Sequence, residues 1–352
     1  MNAAAPLVSV LMPVYNAAPY VEQAVRSILE QTFADFELLI FNDGSQDASS
    51  EIIRSIQDER IRFFDCGQNS GYVVHLNEGL RLAKGKYIAR MDADDIALPE
   101  RFAKQVALLE QNVQIGLCGT AYDTFDAMQI KVYVPVSDTE IREFMLLNSP
   151  MGHPTVMFRK SIIEQYNLRY DPSFMPAEDY KLWVDFSGVT SIQNIPEVLL
   201  HYRVHPYQIS SYMNDNQRAN ADAVRILQLT TKGFDLTPQE RLSYCQILHC
   251  TIRPETPAQM REMLALMWNI KRQNERLQAY DAAWFNRLFA KAWREAVTGV
   301  QHYTLGHLQP TLLQAKPMPN PFGLSDTLRI IVKSLLGWEA KHEAANLANS
   351  VL

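Results

Sequence analysis

Cysteine is sparse and carries no pattern. Four cysteines occur in 352 residues, at positions 66, 118, 245 and 250, and no two form a CxxC pair. His249 lies between the last two, but that spacing matches no usual zinc site, so buried free thiols in a reduced, cytosolic compartment are expected. Long apolar runs are absent as well. None approaches the roughly 18–20 residues that cross a bilayer. Residues 1–6 hold neither a basic stretch nor an apolar signal segment, so secretion is not expected. Basic residues are scarce in the first part of the chain. Residues 1–215 carry 17 Lys and Arg against 28 Asp and Glu, a balance of −11, which argues against a nucleic-acid partner. Residues 216–352 reverse this with 16 against 11, a balance of +5, and point to an anionic partner for that part. No internal repeat or low-complexity tract occurs. At 47% hydrophobic and 20% charged, the composition is that of a soluble globular protein.

Alternating strand and helix signals fill the first hundred residues. Val8-Ser9-Val10-Leu11-Met12 is an apolar, β-branched run ending at Pro13, and Val14-Tyr15-Asn16 forms a loop. Val21, Ala24, Val25, Ile28 and Leu29 then follow helical spacing. Residues 37–41 read as a second strand running into Asn42-Asp43-Gly44-Ser45, and residues 48–56 as a helix with Asp47 as its N-cap. A third strand over 61–64, a break at Asn69-Ser70-Gly71 and a helix over 72–83 lead to a strand over 85–89. This order predicts a mostly parallel sheet with helices on both faces, whose ligands bind outside the carboxyl ends of the strands.

The last of these strands ends in Arg90-Met91-Asp92-Ala93-Asp94-Asp95. Strand alternation puts Asp92 and Asp94 on one side and Asp95 on the other. Two carboxylates facing one way repel and are costly to desolvate. A hard divalent cation such as Mg²⁺ or Mn²⁺, together with a diphosphate, removes that cost. The bland alternative is an acidic turn before a helix that starts near Pro99. On these residues alone the two readings stand level. Arg90 and Lys86 flank the motif as phosphate partners or as solvated charges.

Further on, 99–111 reads as an amphipathic helix and 115–122 and 130–136 as strands of a hairpin around Asp126. Ser137 with Glu140 forms a capping box for a helix to Leu147. Residues 155–158 and 198–202 read as strands. Between them, Glu178-Asp179 opens a helix bearing Leu182, Trp183 and Phe186. Beyond Asp215 only helices are expected, over 220–229, 238–247, 257–270 and 275–297. Met260, Met263 and Met267 lie at core spacing there. Three regions are expected: 1–215, the α/β domain; 216–316, helical; and 317–352, a proline-rich linker with a terminal amphipathic helix. On that helix Leu328, Ile331, Val332, Leu335 and Leu336 share a face. It would pack on the protein or a second subunit, or lie at a membrane surface.

The order and spacing of these motifs over residues 7–210 resemble glycosyltransferase family 2, inverting enzymes of the GT-A nucleotide-diphospho-sugar transferase fold. The resemblance is carried by residues 8–16, Gln31-Thr32-Phe33, Asn42-Asp43-Gly44-Ser45, Asn69 with Gly71, Asn77, Gly79, Ala83, Gly85 and Asp92-Ala93-Asp94-Asp95. Later come His153-Pro154, Glu178-Asp179-Tyr180 and Tyr202-Arg203-Val204-His205. It implies a UDP-linked sugar donor, Mn²⁺ or Mg²⁺, and a saccharide or lipid-linked acceptor in bacterial surface polysaccharide or glycolipid synthesis. The setting it implies is the cytoplasm or the inner face of the membrane. It implies Asp94 as metal ligand with His205 as a further one, and Asp92 contacting ribose or metal. Pro13 and Tyr15 would lie at the base, with Tyr15 stacking and Asp43 accepting from the uracil N–H. Asp179 would be the catalytic base, and Glu178 would support it or hold the acceptor. His153 reads as structural. Many relatives carry two aspartates where this chain has Asn42-Asp43, but the one expected to meet the base is retained. A nucleotidyltransferase is disfavoured, because Pro13-Val14-Tyr15-Asn16 stands where a glycine-rich phosphate loop belongs. A nucleotide-sugar-binding module without chemistry is disfavoured by the presence of Asp179.

Overall fold

A computed structural model describes residues 5–206, 208, 214–249, 251, 254–300, 304–307, 310 and 330–335. The chain divides into two compact units, Met1–Arg225 and Ile226–Leu352.

The first unit is built on a mixed sheet with strand order β3-β2-β1-β4-β8-β6-β9-β5, and β7 added on β6. β1 (Val8–Val14), β2 (Phe36–Asn42), β3 (Ile61–Asp65) and β4 (Tyr87–Arg90) are mutually parallel. β5 (Ile96–Ala97), β6 (Ile115–Asp126), β7 (Lys131–Val132), β8 (Met157–Arg159) and β9 (Ser191–Val204) complete it. Every residue of β1 and β2 is buried. Period-2 alternation divides them between two cores. Val8, Val10 and Met12 pack with α1 (Val21–Leu29) and α4 (Arg101–Gln111) on one face. Leu11, Leu39 and Phe41 pack with α3 (Tyr72–Leu82) and α7 (Glu178–Ser187) on the other. Short helices α2 (Ser49–Ser55), α5 (Asp138–Phe144) and α6 (Lys160–Tyr166) fill the connections. A side chain at Gly85 would put its Cβ 2.6 Å from the Ser9 backbone nitrogen, so only glycine allows β4 to enter the sheet this closely.

Most elements fall where the sequence places them, and the departures have local causes. The capping box of Ser137 and Glu140 is formed. Ala48 rather than Asp47 is the N-cap of α2, but Asp47 still accepts from the Ser49 backbone N–H at 3.0 Å. β9 begins at Ser191, well before the expected 198, because the ladder absorbs Pro196 at a register shift between the Ile195 and Val198 pairs. β6 continues through Asp126, paired with the end of β9, and only Lys131 and Val132 return against it.

The second unit, taken by itself, is helical. After α8 (Asn214–Thr231) come α9 (Pro238–Leu248), α10 (Pro257–Leu277) and α11 (Ala282–Thr298). Thr237 with Glu240 and Thr256 with Gln259 form capping boxes for α9 and α10. Met260, Met263 and Met267 are buried, the core role their spacing predicts. α10 outruns its expected end by seven residues, to Leu277, and is terminated by Gln278 with a left-handed φ of 51°. Of the terminal amphipathic segment, residues 330–335 are helical, with Ile330 and Ser334 buried and Val332 and Leu335 exposed. Leu328, Leu336 and the proline-rich stretch 317–321 lie outside the described residues. Among the described residues no helix is long and apolar enough to cross a membrane.

Candidate functional site

The carboxyl ends of β1, β2 and β4 share one edge of the sheet, as parallel pairing dictates. Two loops there are stitched together. Asn16 donates from its backbone to Ser45 Oγ at 3.0 Å, and its side-chain oxygen accepts from the Gln46 N–H at 2.8 Å. Ala17 and Ala18 donate to Ser49 Oγ and Asp47 Oδ2. Pro13 is buried in the body of β1 opposite Phe41, whereas Tyr15 is half-exposed at the strand's end.

Asp43 is almost fully buried and serves as an anchor. Its Oδ1 accepts from the Ser70 N–H and pairs with His75 Nε2, both at 2.7 Å, and its Oδ2 accepts from the Gly71 N–H at 3.0 Å. These bonds draw the loop before α3 onto the end of β2. Each carboxylate oxygen has two acceptor sites, so Oδ2 retains one. His75, inconspicuous in the sequence, is therefore part of this edge.

The acidic turn follows β4. Asp92, Asp94 and Asp95 each offer an oxygen, and these atoms lie within 4.8 Å of one another. Asp92 and Asp94 are partly exposed, while Asp95 is buried and accepts from the Arg203 backbone N–H at 2.9 Å. Asp95 Oδ2 is buried without a hydrogen-bond partner. Burial, then the Asp92 carboxylate, pushes the Asp94 pKa up, with His205 opposing; burial and Asp94 push Asp95 well up. A cluster of hard oxygen donors whose charges are mutually unfavourable fits a divalent cation. His205, 111 residues away in sequence, places Nε2 2.9 Å from Asp94 Oδ2, and imidazole suits a Mn²⁺-type site.

Of the two cations that flank the motif, Lys86 lies before β4, is exposed and pairs with Glu110. Arg90 is not solvated. It is 5% exposed, its guanidinium pairs with Asp92, and its Nε has no hydrogen-bond partner. Burial works against this cation, but Asp92, with smaller contributions from Tyr170 and Asp95, holds its pKa above the ordinary value.

Glu178 and Asp179 open α7. Glu178 is 2% exposed and has His153 Nδ1 3.9 Å from its Oε1. Burial and then the neighbouring Asp179 push its pKa up to about 8. Asp179 is more open. Burial pushes it up to about 6, against the Tyr180 N–H and the Arg90 charge. His153 is held by Tyr170 Oη at 3.1 Å and by edge contact with Trp183, and burial keeps it neutral, in line with a structural role. Of these two adjacent carboxyls, Glu178 holds its proton to the higher pH.

This separation predicts a pH dependence. The fold favours protonated Glu178, so between its ordinary 4.5 and about 8 the folded state binds more protons than the unfolded chain. Stability contributed by the neutral carboxyl is complete below that window and is lost as pH rises through it. Chelator-treated protein should therefore lose stability between pH 6.5 and 8 in denaturant titrations, and Glu178→Gln should lessen that slope. An unaltered slope in the variant would place the proton elsewhere.

The family model described as Glycosyl transferase family 2 matches residues 9–166. An uncharacterized glycosyltransferase of Haemophilus influenzae is 33% identical over 69% of this chain and 81% of its own length. The chain belongs to glycosyltransferase family 2. A putative teichuronic acid biosynthesis glycosyltransferase, TuaG of Bacillus subtilis, is 29% identical over 58% of this chain and 82% of its own. The mannosyltransferase PcManGT of Pyrobaculum calidifontis, solved with GDP-Man and Mn²⁺, superposes with a TM-score of 0.53 at 18% identity, covering 95% of this chain and 88% of that one. The fold is thus GT-A, as the resemblance implied.

Proposed function

We propose that this glycosyltransferase moves a sugar from a nucleotide-diphospho-sugar to an acceptor hydroxyl with inversion at the anomeric carbon. The observation that carries the proposal is the convergence on one sheet edge of a partly exposed base-stacking candidate, Tyr15, and the Asp92, Asp94 and His205 group. The partly exposed carboxylate Asp179 completes the reading. Asp94 and His205, with Asp92 beside them, would hold the cation. When bound, Mn²⁺ or Mg²⁺ supplies charge neutralisation for a diphosphate. Tyr15 would stack on the base, and Asp43 Oδ2 would accept from it. Uridine is the base that the family resemblance implies. Asp179, ionised above about pH 6, would take the proton of the acceptor hydroxyl as its oxygen bonds to the anomeric carbon. The bond from that carbon to the diphosphate breaks on the opposite face, and the pair of electrons leaves with the nucleoside diphosphate. Neutral Glu178 would back Asp179 without adding a second charge beside it. The acceptor is a saccharide or lipid-linked saccharide of a surface polysaccharide pathway, a reading that the relative TuaG supports.

The test is release of nucleoside diphosphate from UDP- and GDP-sugars with a mixed acceptor pool, with the product anomer read by NMR. Diphosphate release that EDTA abolishes and Mn²⁺ restores is expected, with the anomer inverted. Formation of a nucleoside triphosphate and a sugar 1-phosphate when pyrophosphate is added would indicate a nucleotidyltransferase. Donor binding without release from any sugar would indicate a module without chemistry, and a retained anomer would exclude single displacement.

A further inference from the structure

Arg203 lies on β9 two residues before His205 and is 7% exposed. Its guanidinium lies over two aromatic rings, 4.7 Å from the centroid of Tyr20 and 4.3 Å from that of Phe125. Each edge of the group is also engaged. Nε donates to the Asp94 carbonyl oxygen at 2.7 Å, Nη2 donates to Gln23 Oε1 at 2.7 Å, and Nη1 pairs with Asp126. The backbone N–H of the same residue donates to Asp95 Oδ1 at 2.9 Å. His205 then packs against Tyr20, ring centroids 4.8 Å apart and planes tilted by 37°, and reaches Asp94. One side chain thus joins the start of α1, the end of β6, the acidic turn and the strand that carries His205.

We propose that Arg203 is a positioning residue that locks the turn of Asp94 and Asp95 onto β9, so that Asp94 and His205 are presented together. The proposal rests on the metal reading above. A buried charge costs heavily unless paired and fully hydrogen-bonded, and here every contact made to lower that cost also constrains the site. The planar guanidinium lies over two aromatic rings while its edge donates in three directions. A lysine ammonium keeps the charge but cannot reproduce this geometry. The bond to the Asp94 carbonyl fixes the backbone of the residue whose carboxylate faces His205, a supporting role of the kind that tunes ligands.

The experiment compares full-length wild type with Arg203→Lys and with Asp126→Asn, which removes only the outer ion pair. Amide exchange by mass spectrometry, Mn²⁺ affinity, and donor KM against kcat are measured. For Arg203→Lys, exchange over 92–97 and 201–206 should accelerate about 10-fold or more while β1 and β2 stay protected. Mn²⁺ affinity should fall about 10–100-fold, as for other residues that support metal ligands, and donor KM should rise more than kcat falls. Asp126→Asn should move the same quantities less. Wild-type exchange over 92–97 in Arg203→Lys, or acceleration spread equally through β1 and β2, would overturn the proposal. So would unchanged Mn²⁺ affinity in a protein whose wild type binds Mn²⁺. Local acceleration in a protein whose wild type binds no Mn²⁺ would leave the lock standing and remove the metal reading.

Discussion

Asp179→Asn is expected to lower turnover by about 10²–10⁴-fold, the usual contribution of a general base, while Mn²⁺ and donor binding persist. Asn preserves shape and an acceptor oxygen but cannot take a proton at neutral pH. Asp179 opens α7, where the Tyr180 N–H and the Arg90 charge favour its ionised form. Burial moves its pKa to about 6, so the wild-type rate should fall as pH drops through that value and the base protonates. In the variant that acid limb should disappear from the residual rate. Steady-state kinetics at saturating donor, from pH 5 to 8, measure both effects. An unchanged kcat with a raised acceptor KM would assign Asp179 to acceptor binding instead.

Loss of the proposed metal ligand should act on a different step. Asp94→Ala should abolish Mn²⁺-dependent binding of the nucleotide-sugar, read by titration calorimetry, with the fold intact. Thermal unfolding in chelator at neutral pH should be unchanged or shifted upward. Asp94 is only partly exposed, and burial and the Asp92 carboxylate both disfavour its charge, so the residue is held there at a cost to stability. Opposing this, His205 loses its 2.9 Å partner, which limits the gain. Normal Mn²⁺ and donor binding in the variant would refute the assignment of Asp94. A collapse of stability would identify it as a structural residue.

Local pattern determined much of this molecule. Continuous apolar runs at β1 and β2 and helical spacing at α1 pointed to a parallel sheet with helices on both faces, because a strand buried on both sides needs a layer on each. Asp92 and Asp94 on one side of a strand's end marked a candidate cation site, level with an acidic turn on those residues alone, since carboxylates so placed repel unless a charge joins them. The same local chemistry marked Glu178-Asp179 as the start of a helix. Other features depend on which distant segments meet. Arg90 reads in sequence as a flanking charge free to be solvated, but the sheet buries it against Asp92. Asp43 is expected to meet the base, yet its carboxylate also anchors the loop before α3 through Ser70, Gly71 and His75. The strand expected over 198–202 begins at Ser191, and only the ladder with β6, shifting register near Pro196, shows how that proline is accommodated. His205 meets Asp94 across 111 residues, and Arg203 reaches Gln23 across 180. Such contacts leave no periodic trace, because a hydrogen bond between strands is set by sheet order and register rather than by spacing along the chain. The residue types and their local geometry were therefore determined by the sequence itself. Which carboxylate anchors a loop, which faces solvent, and which arginine holds the turn were decided only when the tertiary structure brought their partners within hydrogen-bonding distance.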